Sequence, residues 1–237
     1  MNRLMLSVAA AIVSATIGAQ AEVQKKDVNI QAPDGVTLKG TYFSPGNLGP
    51  GMLLLHQCDM DQRAWDGLAS DLANAGLHVL TFDFRSFGET GGDDAAREKW
   101  PGDVDAAYAH LLSQDGVDRT RVAVGGASCG VAQSADLVTR RSEIKTLLLL
   151  SSSRAAAAKD HIANTPALAV FGAASEGDEG SAAGVREALE ASKHPRSVLK
   201  IYPGTEHGVP MFEKNSELRP AIMSWLTTQL AVRAGTD

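Results

Sequence analysis

The sequence predicts an α/β fold in which a mostly parallel central sheet carries helices on both faces. Short continuous apolar runs, typical of strands buried on both sides, alternate with segments whose apolar residues recur at helical spacing. This alternation implies right-handed crossovers between parallel strands. Because neither an internal repeat nor a linker-like segment interrupts it, we expect residues 22–237 to form one domain.

The predicted elements follow in chain order. Two early strands over 28–30 and 36–43 are separated by the turn signal Pro33-Asp34-Gly35. Further strands are predicted over 52–56, 78–82, 122–124, 146–150, 167–171 and 197–202. Helices are predicted from Trp65 to Gly76 and over 104–111, 129–141, 185–192 and 217–232.

Composition excludes several classes of protein. The 237 residues are 44% hydrophobic and 21% charged, which excludes a disordered chain. The net charge is −6 and no basic run is present, so we expect no binding to nucleic acid or anionic lipid. Composition gives no indication of the oligomeric state.

The amino-terminal residues 1–21 have the pattern of a secretory signal peptide. Arg3 precedes an apolar stretch over 4–17, which ends in Ala19-Gln20-Ala21. The stretch is shorter than the roughly 20 residues that cross a bilayer. We therefore expect cleavage after Ala21, export to the periplasm or the medium, and no stable membrane insertion of the mature chain.

A nucleophile motif follows the predicted strand over 122–124. Residues 125–130 read GGASCG, in which Gly126, Ser128 and Gly130 fill the pattern G-x-S-x-G. A tight strand-to-helix turn of this kind exposes its central side chain and needs small residues two positions before and after it. Ser128 is favoured over Cys129 as the nucleophile, because a turn centred on Cys129 would put the β-branched Val131 where a small residue is needed.

A serine nucleophile needs a base and an orienting carboxylate. His207 lies in a loop after the last predicted strand, where the chain order Ser, acid, His places the base. The acid is expected after the strand over 167–171, where Asp178 is favoured and Glu176 is the alternative. The sequence predicts no cofactor, and no His, Cys or Asp cluster has metal-ligand spacing.

With this motif and these candidate residues, the sequence resembles the α/β-hydrolases, and among them the dienelactone-hydrolase-like family. The segments 53–58 (LLLHQC), 82–90 (FDFRSFGET) and 202–208 (YPGTEHG) are similar to that family's oxyanion loop, its D-x-R-G-x-G-x-S segment and its histidine loop. The sequence departs from the family where Ser128 replaces a cysteine nucleophile, Gln57 and Ser86 replace small residues, and Ser175 stands where relatives carry the acid.

The resemblance implies an ester hydrolase with a Ser128–His207–Asp178 triad. It implies an oxyanion hole made by the backbone N–H of Cys129 and that of Cys58 or Gln57. Arg85 would either meet a substrate carboxylate or pair within its own loop. Because Cys58 and Cys129 would lie on the two loops that form the hole, a disulfide between them is a further hypothesis.

The predicted activity is hydrolysis of small or water-soluble carboxylic esters through an acyl-enzyme. Too few residues separate Ser151 from Pro166 for a sizeable lid domain, which favours an open pocket. Two alternatives remain open: a catalytically silent binding protein of the same fold, and a peptidase or acyltransferase that uses the same triad.

Overall fold

A computed structural model describes residues 23–92 and 94–232, and the expected signal peptide lies outside these residues. Eight strands occur within the described ranges and form one sheet. They are β1 (Gln24–Gln31), β2 (Thr37–Ser44), β3 (Gly49–Leu55), β4 (His78–Phe82), β5 (Val117–Ala127), β6 (Thr146–Leu150), β7 (Ala169–Ser175) and β8 (Val198–Tyr202).

The sheet has the order β1-β2-β4-β3-β5-β6-β7-β8. The first two strands pair antiparallel with their neighbours, whereas all pairs from β4 and β3 to β8 are parallel. The chain order reverses between β3 and its neighbours β4 and β5, which is where ligands bind in open α/β sheets. The predicted mostly parallel sheet is confirmed.

Helices cover both faces of the sheet. Those within the described ranges are α1 (Asp66–Asn74), α2 (Trp100–Ser113), α3 (Cys129–Arg140), α4 (Lys159–Asn164), α5 (Glu179–Glu190), α6 (Met211–Lys214) and α7 (Leu218–Gln229). Short 3-10 turns occupy Gln62–Trp65, Asp94–Lys99 and Ser153–Ala158. None of the helices in 23–92 and 94–232 combines the length and apolarity needed to cross a membrane.

Two apolar layers sandwich the sheet, because the central strands are buried on both sides. Leu53 and Leu55 of β3 pack in the layer of α2 to α5, whereas Met52 and Leu54 pack in the layer of α1 and α7. Successive side chains of a strand point to opposite faces, so a continuous apolar run fills both layers. This is why the short apolar runs predicted the central strands well.

The structure differs from the predicted elements mainly around the site. The strand predicted over 122–124 runs from Val117 to Ala127 and therefore reaches Ser128 directly. The strand predicted over 167–171 runs to Ser175, because its end pairs with β8. Helix α5 begins at Glu179, six residues before the predicted start, so only three residues join β7 to α5.

Between β6 and β7 the chain forms only the 3-10 turn Ser153–Ala158 and the six-residue α4. This segment is described throughout. The expectation that no sizeable lid domain is inserted there is confirmed.

Candidate active site

Ser128 lies at the junction of β5 and α3 in a strained backbone conformation. Its φ is +51° and its ψ is −113°, whereas α3 begins at the next residue. The Ser128 N–H donates to the carbonyl oxygens of Leu150 (3.0 Å) and Ser151 (3.1 Å), at the end of the neighbouring β6. Strain of this kind persists only where the surroundings hold it, and it is typical of functional sites.

The two glycines of the motif are required by close packing. A Cβ on Gly126 would collide with the backbone of Gly130, and a Cβ on Gly130 would collide with the carbonyl groups of Leu55 and His56. The turn therefore packs against the end of β3. This is the steric requirement from which the G-x-S-x-G pattern predicts an exposed central residue.

Cys129 and Cys58 form a disulfide, with their Cα atoms 5.8 Å apart. The bridge joins the residue after Ser128 to the loop after β3. Since the Cys129 sulfur is bonded to Cys58, position 129 offers no thiolate to compete with Ser128.

His207 and Asp178 are in contact at the carboxyl end of the sheet. His207 Nδ1 is 2.6 Å from Asp178 Oδ2, and the Ser181 Oγ lies 3.4 Å from the same nitrogen. The His207 side chain is 40% exposed and that of Asp178 is 20% exposed. Contact of the carboxylate with Nδ1 orients the imidazole and leaves Nε2 for proton transfer.

Of the two candidate acids, only Asp178 reaches His207. Glu176 is exposed, and its N–H donates to the carbonyl of Tyr202. Asp178 directly precedes α5, and its carbonyl accepts the Ala182 N–H at 2.8 Å. The geometry of the loop therefore decides which of the two carboxylates contacts His207, and the residue pattern does not specify that geometry.

The loop over 203–210 that carries His207 is anchored on the side of β7. Ser175 Oγ donates to the Glu206 carbonyl at 2.6 Å, and the Gly177 N–H donates to the Gly204 carbonyl at 2.8 Å. Ser175 therefore positions the loop next to His207. The carboxylate that contacts the imidazole is that of Asp178.

Residues 56–58, called the oxyanion segment because the sequence predicts oxyanion-hole donors there, follow β3. His56 is fully buried; its Nδ1 donates to the Gln57 carbonyl (2.7 Å), and its Nε2 accepts the Phe84 N–H (3.0 Å). Burial lowers the pKa of His56 below its ordinary value, which agrees with this neutral pattern of donor and acceptor.

The backbone N–H groups predicted for the oxyanion hole donate no hydrogen bond within the described part of the protein. Neither Gln57 nor Cys58 donates its N–H to another described residue. Cys129 is the first residue of α3, where N–H groups have no acceptor within the helix. These amides are therefore available to an anionic oxygen.

Ser128 and His207 line one cavity of about 410 Å³, although they are not hydrogen-bonded to each other. Catalytic hydrogen bonds are often long in a ligand-free site and tighten when substrate binds. The wall is rich in donors and includes two guanidinium groups. The full lining is Cys58, Arg97, Trp100, Ser128, Cys129, Gln133, Ser152, Ser153, Arg154, Ser181 and His207.

Most residues of this wall were not predicted from the sequence. Ser152 and Ser153 follow β6, and their position at the carboxyl edge of the sheet could have predicted that they lie near the site. Arg97 and Trp100 come from the segment before β5, and nothing in their spacing indicates the cavity. Arg97 also stacks on the Trp100 ring, 5.2 Å from its centroid.

Arg85 pairs with carboxylates outside its own loop, so the prediction of a partner within that loop is wrong. Its burial in these pairs does not favour contact with a substrate carboxylate. It is 6% exposed and donates to both carboxylate oxygens of Asp103 and of Asp34, each at 2.7 Å. These bonds raise the pKa of Arg85 and lower that of Asp34 to about 2. Arg85 is absent from the cavity wall.

No protein-family model matches the chain. Two curated proteins, both uncharacterised and from two strains of Mycobacterium tuberculosis, are each 34% identical over 118 residues. The match covers 49% of this chain and 42% of each relative, so the chain spans less than half of the length of these relatives.

Solved structures are similar over most of the chain. The esterase Pf2001 of Pyrococcus furiosus has a TM-score of 0.70 and 19% identity, over 87% of this chain and 93% of that one. The α/β hydrolase GrgF of a Penicillium species has a TM-score of 0.72 and 14% identity, over 88% and 99%. A predicted CIB-like hydrolase of Thermoplasma acidophilum has a TM-score of 0.71 and 15% identity, over 87% and 100%. The chain therefore has the α/β-hydrolase fold.

Proposed function

We propose that the protein is an exported serine hydrolase that cleaves small or water-soluble carboxylic esters. One observation carries the proposal: Ser128 is held at a strained strand-to-helix turn and shares a cavity with a histidine that Asp178 orients. The fold shared with esterases and hydrolases agrees with the proposal. The motifs that resemble the dienelactone-hydrolase-like family support the proposal that it belongs to that group.

In the first step, Ser128 Oγ attacks the ester carbonyl carbon while His207 Nε2 takes the hydroxyl proton. The tetrahedral intermediate collapses when His207 gives that proton to the leaving alcohol, which leaves an acyl group on Ser128. Water then attacks the acyl carbon, again with His207 as the base, and releases the acid. Asp178 orients the imidazole and stabilises its cationic form in both steps.

The developing negative charge on the carbonyl oxygen is bound by backbone N–H groups of Cys129 and of Cys58 or Gln57. One such donor is typically worth about 10²- to 10³-fold in rate. The disulfide fixes the two donor segments to each other and so holds the hole open for the oxyanion.

The cavity favours polar esters of short reach. It has about 410 Å³, its wall carries guanidinium, hydroxyl and amide groups, and no lid domain stands between β6 and β7. Long acyl chains gain binding energy from apolar surface, which this wall supplies only in small part.

Hydrolysis of a p-nitrophenyl ester chain-length series by the mature protein tests the proposal. We expect the acetate and butyrate to be the best substrates and Ser128→Ala to lower kcat/KM by at least about 10⁴-fold. Ser153→Ala, which changes an exposed serine of the same cavity, is the matched control and is expected to stay within about threefold.

Two results contradict the proposal and point to the other functions. A protein that binds esters without turnover is a silent binding protein of this fold. A protein that prefers peptides, or that transfers the acyl group to an added alcohol or amine faster than to water, is a peptidase or an acyltransferase.

A further inference from the structure

The Gln57 side chain connects two loops of the active site. It is 1% exposed. Its Oε1 accepts the Val209 N–H at 2.8 Å, and its Nε2 donates to Asp59 Oδ1 at 2.7 Å. A buried amide is stable only when its polar atoms are paired, so its orientation is fixed by these two bonds.

Val209 lies two residues after His207, and the residue between them also contacts Gln57. Gly208 has φ of +68°, and a Cβ on it would collide with the Gln57 Oε1. The amide thus packs directly on the backbone that follows the catalytic histidine. The contacts of Ser175 and Gly177 hold the same loop from the β7 side.

The backbone of Gln57 directly precedes Cys58, which lines the cavity together with Ser128 and His207. Residue 57 lies in the oxyanion segment, and the next residue is joined by the disulfide to Cys129, the neighbour of Ser128. A continuous series of contacts therefore leads from the histidine loop through Gln57 and Cys58 to the nucleophile.

We propose that Gln57 is a positioning residue, which holds Val209 through its side-chain amide and thereby sets where His207 lies relative to Ser128. The inference rests on the proposed hydrolase function, because it acts on the proton transfer between these two residues. His207 is 40% exposed, so the packing of its own ring constrains it less than its loop anchors do. An apolar residue would fill the space of Gln57 without supplying this acceptor.

The test is steady-state hydrolysis of p-nitrophenyl acetate by Gln57→Met, which keeps the side-chain length and removes the acceptor. A displacement of about 1 Å at a catalytic group costs up to about 10²-fold, so we expect kcat to fall by about 10- to 100-fold. KM is expected to change by less than about threefold, because the substitution keeps the backbone N–H and the Gln57 side chain is buried away from the cavity wall. Asp59→Asn keeps an oxygen for Nε2 and leaves the Val209 bond intact, so its kcat is expected within about threefold of wild type.

The second variant combines Gln57→Glu with Asp59→Asn. It keeps an oxygen for the Val209 N–H, and the amide at position 59 can donate to the new carboxylate, which the Asp59 carboxylate would repel. We expect its kcat within about fivefold of wild type. If Gln57→Met does not fold, the double variant decides alone, and a loss of tenfold or more then overturns the proposal. A Gln57→Met enzyme with wild-type kcat, or with a loss equal to that of the double variant, also overturns it. Wild-type protein that does not hydrolyse the ester contradicts the proposed function instead, which keeps the two failures distinct.

Discussion

Removal of the Cys58–Cys129 disulfide is expected to lower the free energy of unfolding by about 4 kcal/mol. The bridge spans a sequence separation of 71 residues. In the chain-entropy description, closing a loop of this length removes about 15 cal/mol/K from the unfolded ensemble, which is about 4 kcal/mol at 25 °C. For a chain of this size the same change lowers Tm by roughly 8–16 °C.

The assay is thermal and urea unfolding of the wild type and of the double variant Cys58→Ala with Cys129→Ala, with and without reductant. The three tryptophans are all buried and report the transition by fluorescence. Both proteins have the same backbone donors at 58 and 129, so any loss of activity reports loosened loops. A Tm difference below about 2 °C contradicts the reasoning, and so does a double variant that reductant destabilises as much as wild type.

Three further predictions concern the site itself. Asp178→Asn is expected to lower kcat by about 10³- to 10⁴-fold, because the imidazole loses its orienting carboxylate. The kcat of Glu176→Gln is expected within about threefold of wild type, and equal losses of the two variants in ester assays contradict the assignment of the acid. Gly126→Ala is expected to abolish folding or activity, because the new Cβ would collide with the Gly130 backbone. Circular dichroism and an ester assay check this, and a variant with wild-type structure and activity contradicts the close packing of the two glycines. Burial lowers the pKa of His56 below 6.5, so the unfolded chain takes up a proton at a higher pH than the folded protein does. The contribution of His56 to stability is therefore full above pH 6.5 and is lost as the pH falls through the folded pKa. An NMR titration in which folded His56 protonates at or above pH 6.5 contradicts this assignment.

The central sheet was predictable because its strands are buried on both faces. The runs over 78–82 and 146–150 coincide with β4 and β6. The strained turn at Ser128 was predictable for a related reason, since the glycines at 126 and 130 satisfy a local steric requirement that is visible in five residues. Chain order then placed His207 after the last strand.

Other features depend on contacts between residues far apart in the chain. Asp178 rather than Glu176 contacts His207, because β7 extends to Ser175 and α5 begins at Glu179. Arg85 is paired with Asp34, 51 residues earlier, and this partner has no local signal. The contact of Gln57 with Val209 spans 152 residues, and no spacing rule indicates it.

The central claim is that Ser128 is the nucleophile, and covalent labelling by a fluorophosphonate tests it most directly. Cavity serines other than Ser128 lie outside residues 122–140, the tryptic peptide that carries Ser128. After reduction of the disulfide, we predict a single adduct on Ser128 in that peptide, lost in Ser128→Ala and retained in Ser153→Ala. An adduct that persists in Ser128→Ala, or an absence of labelling in the folded wild-type protein, would contradict the account.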